Sequence, residues 1–130
     1  MSAALGIGHD ERATFAAMLA LVEQCLRSVE LTAAELTIVA SIDTRAAHGL
    51  VAELARHFGL PARYFPASRL ETETPRLANP SPALFERIGC HGVAEAAALA
   101  AIGPDARLIL PKAKGPGVTC AIAQGKANRR

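Results

Sequence analysis

The chain has 130 residues, of which 51% are hydrophobic, and it carries a formal net charge of +2 at pH 7. That length suits one domain with a buried core and is too short for two. The small net charge argues against a protein that coats nucleic acid. No apolar run is long enough to span a membrane, and the N-terminus lacks a signal pattern. We therefore predict a soluble, cytoplasmic domain over residues 1–125 and a basic tail over 126–130, with neither nucleic acid nor membrane as a partner.

The three cysteines, Cys25, Cys90 and Cys120, are widely spaced and lie in apolar surroundings. This pattern predicts buried, reduced thiols and not a disulfide framework. The histidines do not suggest a metal site either, because His48 and His57 are nine residues apart and lie on different sides of a predicted helix. We expect no metal and no cofactor.

Short apolar runs alternate with segments of helical periodicity along the chain. Strands are predicted at 3–8, 36–42, 62–65, 107–110 and 118–123. Helices are predicted at 11–28 with Asp10 as its N-cap, at 46–58, for one turn from 68, at 82–88 and at 93–102. Gly115, Pro116 and Gly117 supply a turn between the last two strands. Because so short a connection cannot make a crossover, those two strands should be antiparallel neighbours.

The alternation predicts an α/β protein, a three-layer α/β/α sandwich around a five-stranded mixed sheet. Strands separated by helices should pair in parallel. We expect the strand order 3-2-1-4-5, with strand five antiparallel at the edge. Open sheets of this kind bind ligands outside the carboxyl ends of strands where the direction of winding reverses, here between strands one and four.

Candidate binding residues lie at or just after the carboxyl ends of three predicted strands. They are Gly6, Gly8, His9, Asp43, Arg45, Lys112 and Lys114. Four of them have a plainer interpretation. Lys112 and Lys114 fit a solvated hairpin loop, and His9 fits an exposed loop histidine. Asp43 fits the cap of the second helix equally well.

The first strand-to-helix turn carries Gly6 and Gly8, and small residues there let a ligand approach the backbone. A nucleotide-binding module is the generic alternative for such a turn. It is disfavoured because no third glycine and no Lys-Ser/Thr pair follow. Asp10 and Glu11 would also repel a phosphate group.

Four segments together resemble one protein family. They are the Gly6-Ile7-Gly8 turn, Ala40-Ser41-Ile42-Asp43, residues 92–99 (GVAEAAAL) and residues 111–123 (PKAKGPGVTCAIA). The last three are similar to the ASID, S-V-A-E-A-A-A and P-K-x-K-x-x-x-V-T-x-A-I-A segments of the CobE family of cobalamin (vitamin B12) biosynthesis. That family is equivalent to the C-terminal domain of CbiG, and the resemblance spans nearly the whole chain.

One segment departs from the family pattern. The family usually continues its first turn as G-x-G-C-R/K-R/K-G, whereas this chain has His9, Asp10, Glu11 and Arg12 at the matching positions. An imidazole has replaced a thiol, and two acids have replaced two cations.

The resemblance implies work on a corrin-ring precursor, a broad apolar macrocycle that carries many carboxylates. Arg45, Lys112 and Lys114 would supply cations at the rim of its site, and the two glycines would let the ring edge approach the backbone. The predicted substrate-binding residues are Gly6, Gly8, His9, Ser41, Asp43, Arg45, Lys112 and Lys114. The implied partners are a precorrin or corrinoid intermediate and other enzymes of the cobalamin pathway.

Two hypotheses for function remain open at this point. In the first, the protein is an auxiliary binder of a polycarboxylate precorrin-type intermediate, as the resemblance to the standalone CobE form implies. In the second, it is a hydrolase that acts on a corrin-precursor lactone or a related group. His9 would then be the general base, and Asp43 would orient it or activate water.

Overall fold

A computed structural model describes residues 2–125 of the chain, so the predicted basic tail at 126–130 lies outside the described residues. The strands are β1 (Ala3–His9), β2 (Leu36–Ile42), β3 (Ala62–Phe65), β4 (Arg107–Gly115) and β5 (Val118–Gln124). The α-helices are α1 (Phe15–Ser28), α2 (Leu50–Phe58), α3 (Ala67–Glu71), α4 (Pro82–Ile88) and α5 (Ala94–Ile102). Short 3-10 helices lie at Ala33–Glu35, Asp43–His48 and Thr74–Arg76.

The five strands form one mixed sheet in the order β3-β2-β1-β5-β4. β1, β2 and β3 are parallel, whereas β5 runs antiparallel to both of its neighbours, β1 and β4. The predicted α/β class and the antiparallel pairing of the last two strands are confirmed. The predicted order 3-2-1-4-5 is wrong in its last two positions, because β5 lies inside the sheet and β4 forms the edge.

The composition of the last two strands explains this exchange. β5 consists largely of small apolar residues that are buried. β4 contains Pro111, Lys112 and Lys114 and is only half-buried. Proline cannot donate a hydrogen bond to a sheet and is confined to edge strands or bulges, and lysines protect an exposed edge. β4 therefore suits the edge, and β5 suits the interior.

Helices cover both faces of the sheet. α1 and α2 pack on one face, where Leu5 and Ile7 join the main apolar core. α5 crosses the other face, where it contacts all five strands. Its alanines allow this close approach, since they present thin side chains to the sheet. Gly6 lies directly beneath α5, where a Cβ atom would stand 1.9 Å from the carbonyl oxygen of Ala94.

The first two helices begin later than predicted. α1 starts after Thr14, whose hydroxyl accepts a hydrogen bond from the N–H of Ala17 at 3.1 Å. The predicted N-cap, Asp10, instead accepts a hydrogen bond from the backbone N–H of Arg12 and begins the turn after β1. The second predicted helix, 46–58, is divided at Gly49, which adopts φ of +91° between the 3-10 helix and α2.

β4 continues five residues beyond its predicted end, as far as Gly115. Lys112 and Lys114 therefore lie on the strand and not in the hairpin loop. Gly115 pairs with Val118, which leaves only Pro116 and Gly117 in the turn. Gly117 adopts φ of +70°, a conformation that glycine takes without steric cost.

Candidate functional site

A cavity of about 480 Å³ opens at the carboxyl ends of β1 and β4. Val118 at the start of β5 pairs with His9 on one side and with Gly115 on the other, so these two strand ends flank it closely. The 3-10 helix after β2, the segment around α4 and the first turn of α5 complete the walls. The cavity thus lies at the predicted end of the sheet, outside the carboxyl ends of the strands, although β5 lies between β1 and β4.

Five of the eight predicted binding residues line this cavity. They are Gly8, His9, Arg45, Lys112 and Lys114. The other three, Gly6, Ser41 and Asp43, are not among the lining residues. Gly6 is covered by α5, and buried Ser41 donates a hydrogen bond to the carbonyl oxygen of Ile7 at 2.6 Å. These two residues therefore contribute to the packing of β1 and β2 beside the site and do not face the cavity.

Cations dominate the charged residues of the lining. They are Arg12, Arg45, Arg87, Lys112 and Lys114, and the lining carboxylates are Asp10 and Glu95. The sequence did not predict Arg12 or Arg87 as site residues. Arg12 follows two acids, and Arg87 lies on α4, which no strand-end argument brings to this edge.

Both lining carboxylates already have partners. Asp10 forms an ion pair with Arg12 at 2.7 Å, and the hydrogen bonds from Arg12 lower the pKa of Asp10. Within residues 2–125, the charged side-chain nitrogens of the four other lining cations have no carboxylate oxygen within 4.0 Å. The cavity therefore presents four cationic side chains whose charges are free to meet an anionic ligand.

Glu95 is a site residue that the sequence analysis did not identify. It lies in the first turn of α5 and is only 2% exposed. Its carboxylate accepts four hydrogen bonds, from the backbone N–H groups of Ala78, Asn79 and Lys112 and from the side-chain amide of Asn79, at 2.8–3.0 Å. Burial acts to raise the pKa of Glu95, but these hydrogen bonds outweigh it, and the pKa is lowered. The buried carboxylate is therefore ionised at neutral pH.

His9 is half-buried at the wall of the cavity. Its Nδ1 lies 2.9 Å from the carbonyl oxygen of Asp10, and its Nε2 is buried without a partner among the described residues. Burial lowers the pKa of His9, and the nearby His48 and Arg45 lower it further. A carbonyl oxygen only accepts, so Nδ1 carries the proton of the neutral ring, and Nε2 keeps its lone pair.

Asp43 does not accompany His9 in this arrangement. It is exposed at the start of the 3-10 helix that follows β2. No hydrogen bond joins it to His9 in the described part of the chain. The ring beside His9 is that of His48, edge-on at 4.8 Å between centroids. The predicted catalytic pair is therefore not assembled in this conformation.

The segment around α4 forms the outer wall, and a hydrogen bond joins its two ends. Ser81, just before the helix, donates its backbone N–H to the carbonyl oxygen of His91, which follows the helix, at 2.8 Å. His91 in turn contacts the carboxylate of Glu71 at 3.0 Å. Between these anchors no residue of α4 is buried, and Phe85 is 43% exposed. Leu84 and Ile88 on this helix line the cavity, so the outer wall has an apolar part beside Arg87.

The described residues contain no group of three or more potential metal ligands. Cys25, Cys90 and Cys120 are all buried, as predicted, and are not among the residues that line the cavity. No helix within residues 2–125 combines the length and the apolar character that a membrane crossing requires.

The fold and the cavity together define an α/β protein with a cation-rich crevice at the carboxyl edge of its sheet. Comparisons with known proteins agree on its family. The family model for the cobalamin synthesis G C-terminus matches residues 3–123. Protein CobE from Sinorhizobium sp is 41% identical over 119 residues, which are 92% of this chain and 77% of that protein.

Solved structures give the same result. The crystal structure of CobE, a protein from the cobalamin (vitamin B12) biosynthetic pathway, matches with a TM-score of 0.89 and 30% identity over 98% of this chain and 92% of that one. Cobalamin biosynthesis protein chiG from Agrobacterium tumefaciens str. C58 matches with a TM-score of 0.69 and 31% identity over 96% and 99% of the two chains. The chain therefore belongs to the CobE and CbiG C-terminal family of cobalamin biosynthesis proteins, as its sequence motifs predicted.

Proposed function

We propose that the protein binds a polycarboxylate, precorrin-type intermediate of cobalamin biosynthesis in the crevice at the sheet edge. The observation that supports this most directly is the charge of the lining. Arg45, Arg87, Lys112 and Lys114 approach one cavity without ion-pair partners among the described residues. Carboxylates at the edge of a ring would supply the missing anions, and Arg and Lys recognise carboxylates through charge-assisted hydrogen bonds.

The rest of the lining suits the same ligand. Leu84 and Ile88 present apolar side chains, which would contact the face of a macrocycle while the cations hold its edge. The volume of about 480 Å³ lies within the usual range of small-molecule sites, about 300–1,000 Å³. A purely polar metabolite would gain nothing from the apolar wall.

A titration with matched ligands tests this proposal. Purified pathway intermediates with free carboxylates should bind and change their absorbance spectra, and added salt should weaken the binding. The methyl esters of the same rings keep the apolar face but lose the negative charges, so they should bind much more weakly. Equal binding of acid and ester, or no binding by any intermediate, would contradict the proposal.

A hydrolase remains the second candidate because of one feature of His9. Its pKa is lowered and its buried Nε2 has no partner among the described residues, so the ring is neutral and Nε2 could accept a proton if the ring turned toward a ligand. Asp43 does not contact it, so His9 would act without the predicted partner. Incubation of each bound intermediate with the protein, followed by mass spectrometry, distinguishes the candidates. A gain of one water in the mass of the ligand or its products that is lost in His9→Ala would establish hydrolysis, and an unchanged mass supports the binder.

A further inference from the structure

The irregular stretch of β4 carries one of the cavity lysines. β4 pairs with β5 at Leu110 and again at Ala113, and the register shifts between them. Pro111 and Lys112 fall within this bulge, which re-aims side chains and leaves backbone groups without ladder partners. The backbone N–H of Lys112 is satisfied from outside the sheet, by the carboxylate of Glu95 at 2.8 Å.

The same carboxylate also binds the segment just before α4, on the other side of the cavity. Its other contacts are the backbone N–H groups of Ala78 and Asn79 and the side-chain amide of Asn79, all at 2.9–3.0 Å. Asn79 immediately precedes the segment that carries Leu84 and Arg87 across the cavity. One buried side chain on α5 therefore links Asn79 and Lys112, which are 16 and 17 residues away from it in the sequence and lie on opposite sides of the cavity.

Glu95 is occupied by these contacts and does not compete with the ligand. A carboxylate has about four lone-pair sites, and all four are used here. Removing such an acceptor leaves buried N–H donors unsatisfied, which is more costly than the net gain of an ordinary hydrogen bond. These contacts fix the backbone on both sides of the cavity before any ligand arrives.

We propose that Glu95 is the positioning residue of this site. It fixes the backbone at Lys112 on β4 and at Asn79 before α4, so that both sides of the cavity are arranged for a polycarboxylate ligand. The inference rests on the proposed function of the cavity and adds the residue that arranges it. Glu95 itself does not touch the ligand. Its substitution should therefore act on binding through Lys112.

A double-mutant cycle tests this dependence. Glu95→Gln replaces two acceptor oxygens with one oxygen and one NH₂ group, so some of the four N–H donors lose their partner. Glu95→Gln alone should weaken binding of a corrinoid polycarboxylate about tenfold. Adding Lys112→Ala to it should cost much less than Lys112→Ala costs in the native protein, because the lysine is already misplaced. Arg45→Ala is the matched control, and its penalty should be the same in both backgrounds.

The outcomes separate the inference from the function on which it rests. Unchanged affinity in Glu95→Gln, or fully additive penalties with Lys112→Ala, would overturn the positioning role while the binding proposal stands. Absence of binding by the native protein would instead contradict the proposed function.

A measurement on the native protein decides the geometry even if Glu95→Gln does not fold. The Lys112 amide should exchange slowly with solvent, because it is bonded to a buried carboxylate, although it lies in the irregular part of an edge strand. Exchange at the rate of an unprotected amide would overturn the inference.

Discussion

A Cβ atom on Gly6 would stand 1.9 Å from the carbonyl oxygen of Ala94, so β1 and α5 touch backbone to backbone at this point. The contact lies one residue before Glu95 and sets the height of α5 above the sheet. Any side chain at Gly6 would lift the helix and the carboxylate that follows. The position of the first turn of α5, which lines the cavity, thus depends on Gly6, which does not line it.

Gly6→Ala should therefore destabilise the protein strongly. The new methyl group meets backbone atoms, which cannot move aside as a flexible side chain can, and overpacking of this kind costs about 1–3 kcal/mol or more. Urea unfolding measures the loss. Gly115→Ala is the control, because its Cβ would make ordinary contacts of 3.5 Å with Leu21. Equal losses in the two variants would contradict the close approach of α5.

The stability of the protein should fall in acid partly because of Glu95. Its folded-state pKa lies below the ordinary value of 4.5, so its contribution is complete above that value and disappears as pH falls through the folded pKa. Asp10 and Glu71 also have lowered pKa values and contribute to the same slope. The unfolding free energy of Glu95→Gln, measured below pH 5, should depend less on pH than that of the native protein. Parallel curves would contradict an ionised, hydrogen-bonded Glu95.

Leu84 and Phe85 provide a matched pair for the apolar wall. Leu84 lines the cavity, whereas its neighbour Phe85 stacks on the ring of His91 at 4.6 Å and does not line it. Leu84→Ala should weaken ring binding about threefold or more, since part of a leucine's transfer free energy is lost. Phe85→Ala should leave the affinity nearly unchanged. Equal effects in an equilibrium titration would mean that α4 does not contact the ligand as proposed.

Much of the fold follows from local sequence patterns. The β2 and β3 bounds agree with the predicted ranges, as does the one-turn helix after β3, because each rests on a short apolar run or a local turn signal. The order of β4 and β5 was wrong because antiparallel pairing alone does not say which strand lies outside. Pro111, together with the lysines beside it, carries that information, but the predicted strand ends at residue 110 and leaves them outside the sheet.

The site was predictable only where it follows strand ends. That rule located Gly8, His9 and Arg45, as well as the two lysines of β4. It could not locate Arg87 or Glu95, because these lie on helices whose positions over the cavity depend on long-range packing. The signal for Glu95 was its place in residues 92–99, one of the four segments that resemble the family.

The affinity of the lysine variants shows whether the cations of the crevice hold the carboxylates of a corrinoid ring. Lys112→Ala and Lys114→Ala should each weaken binding about tenfold or more, since a charge-assisted hydrogen bond contributes about 1.5–3 kcal/mol. Melting temperatures should change little. Arg27→Ala removes the same charge from an exposed position on α1 and should bind like the native protein. Unchanged affinity in both lysine variants, in titrations where the native protein binds, would contradict the proposed binding site.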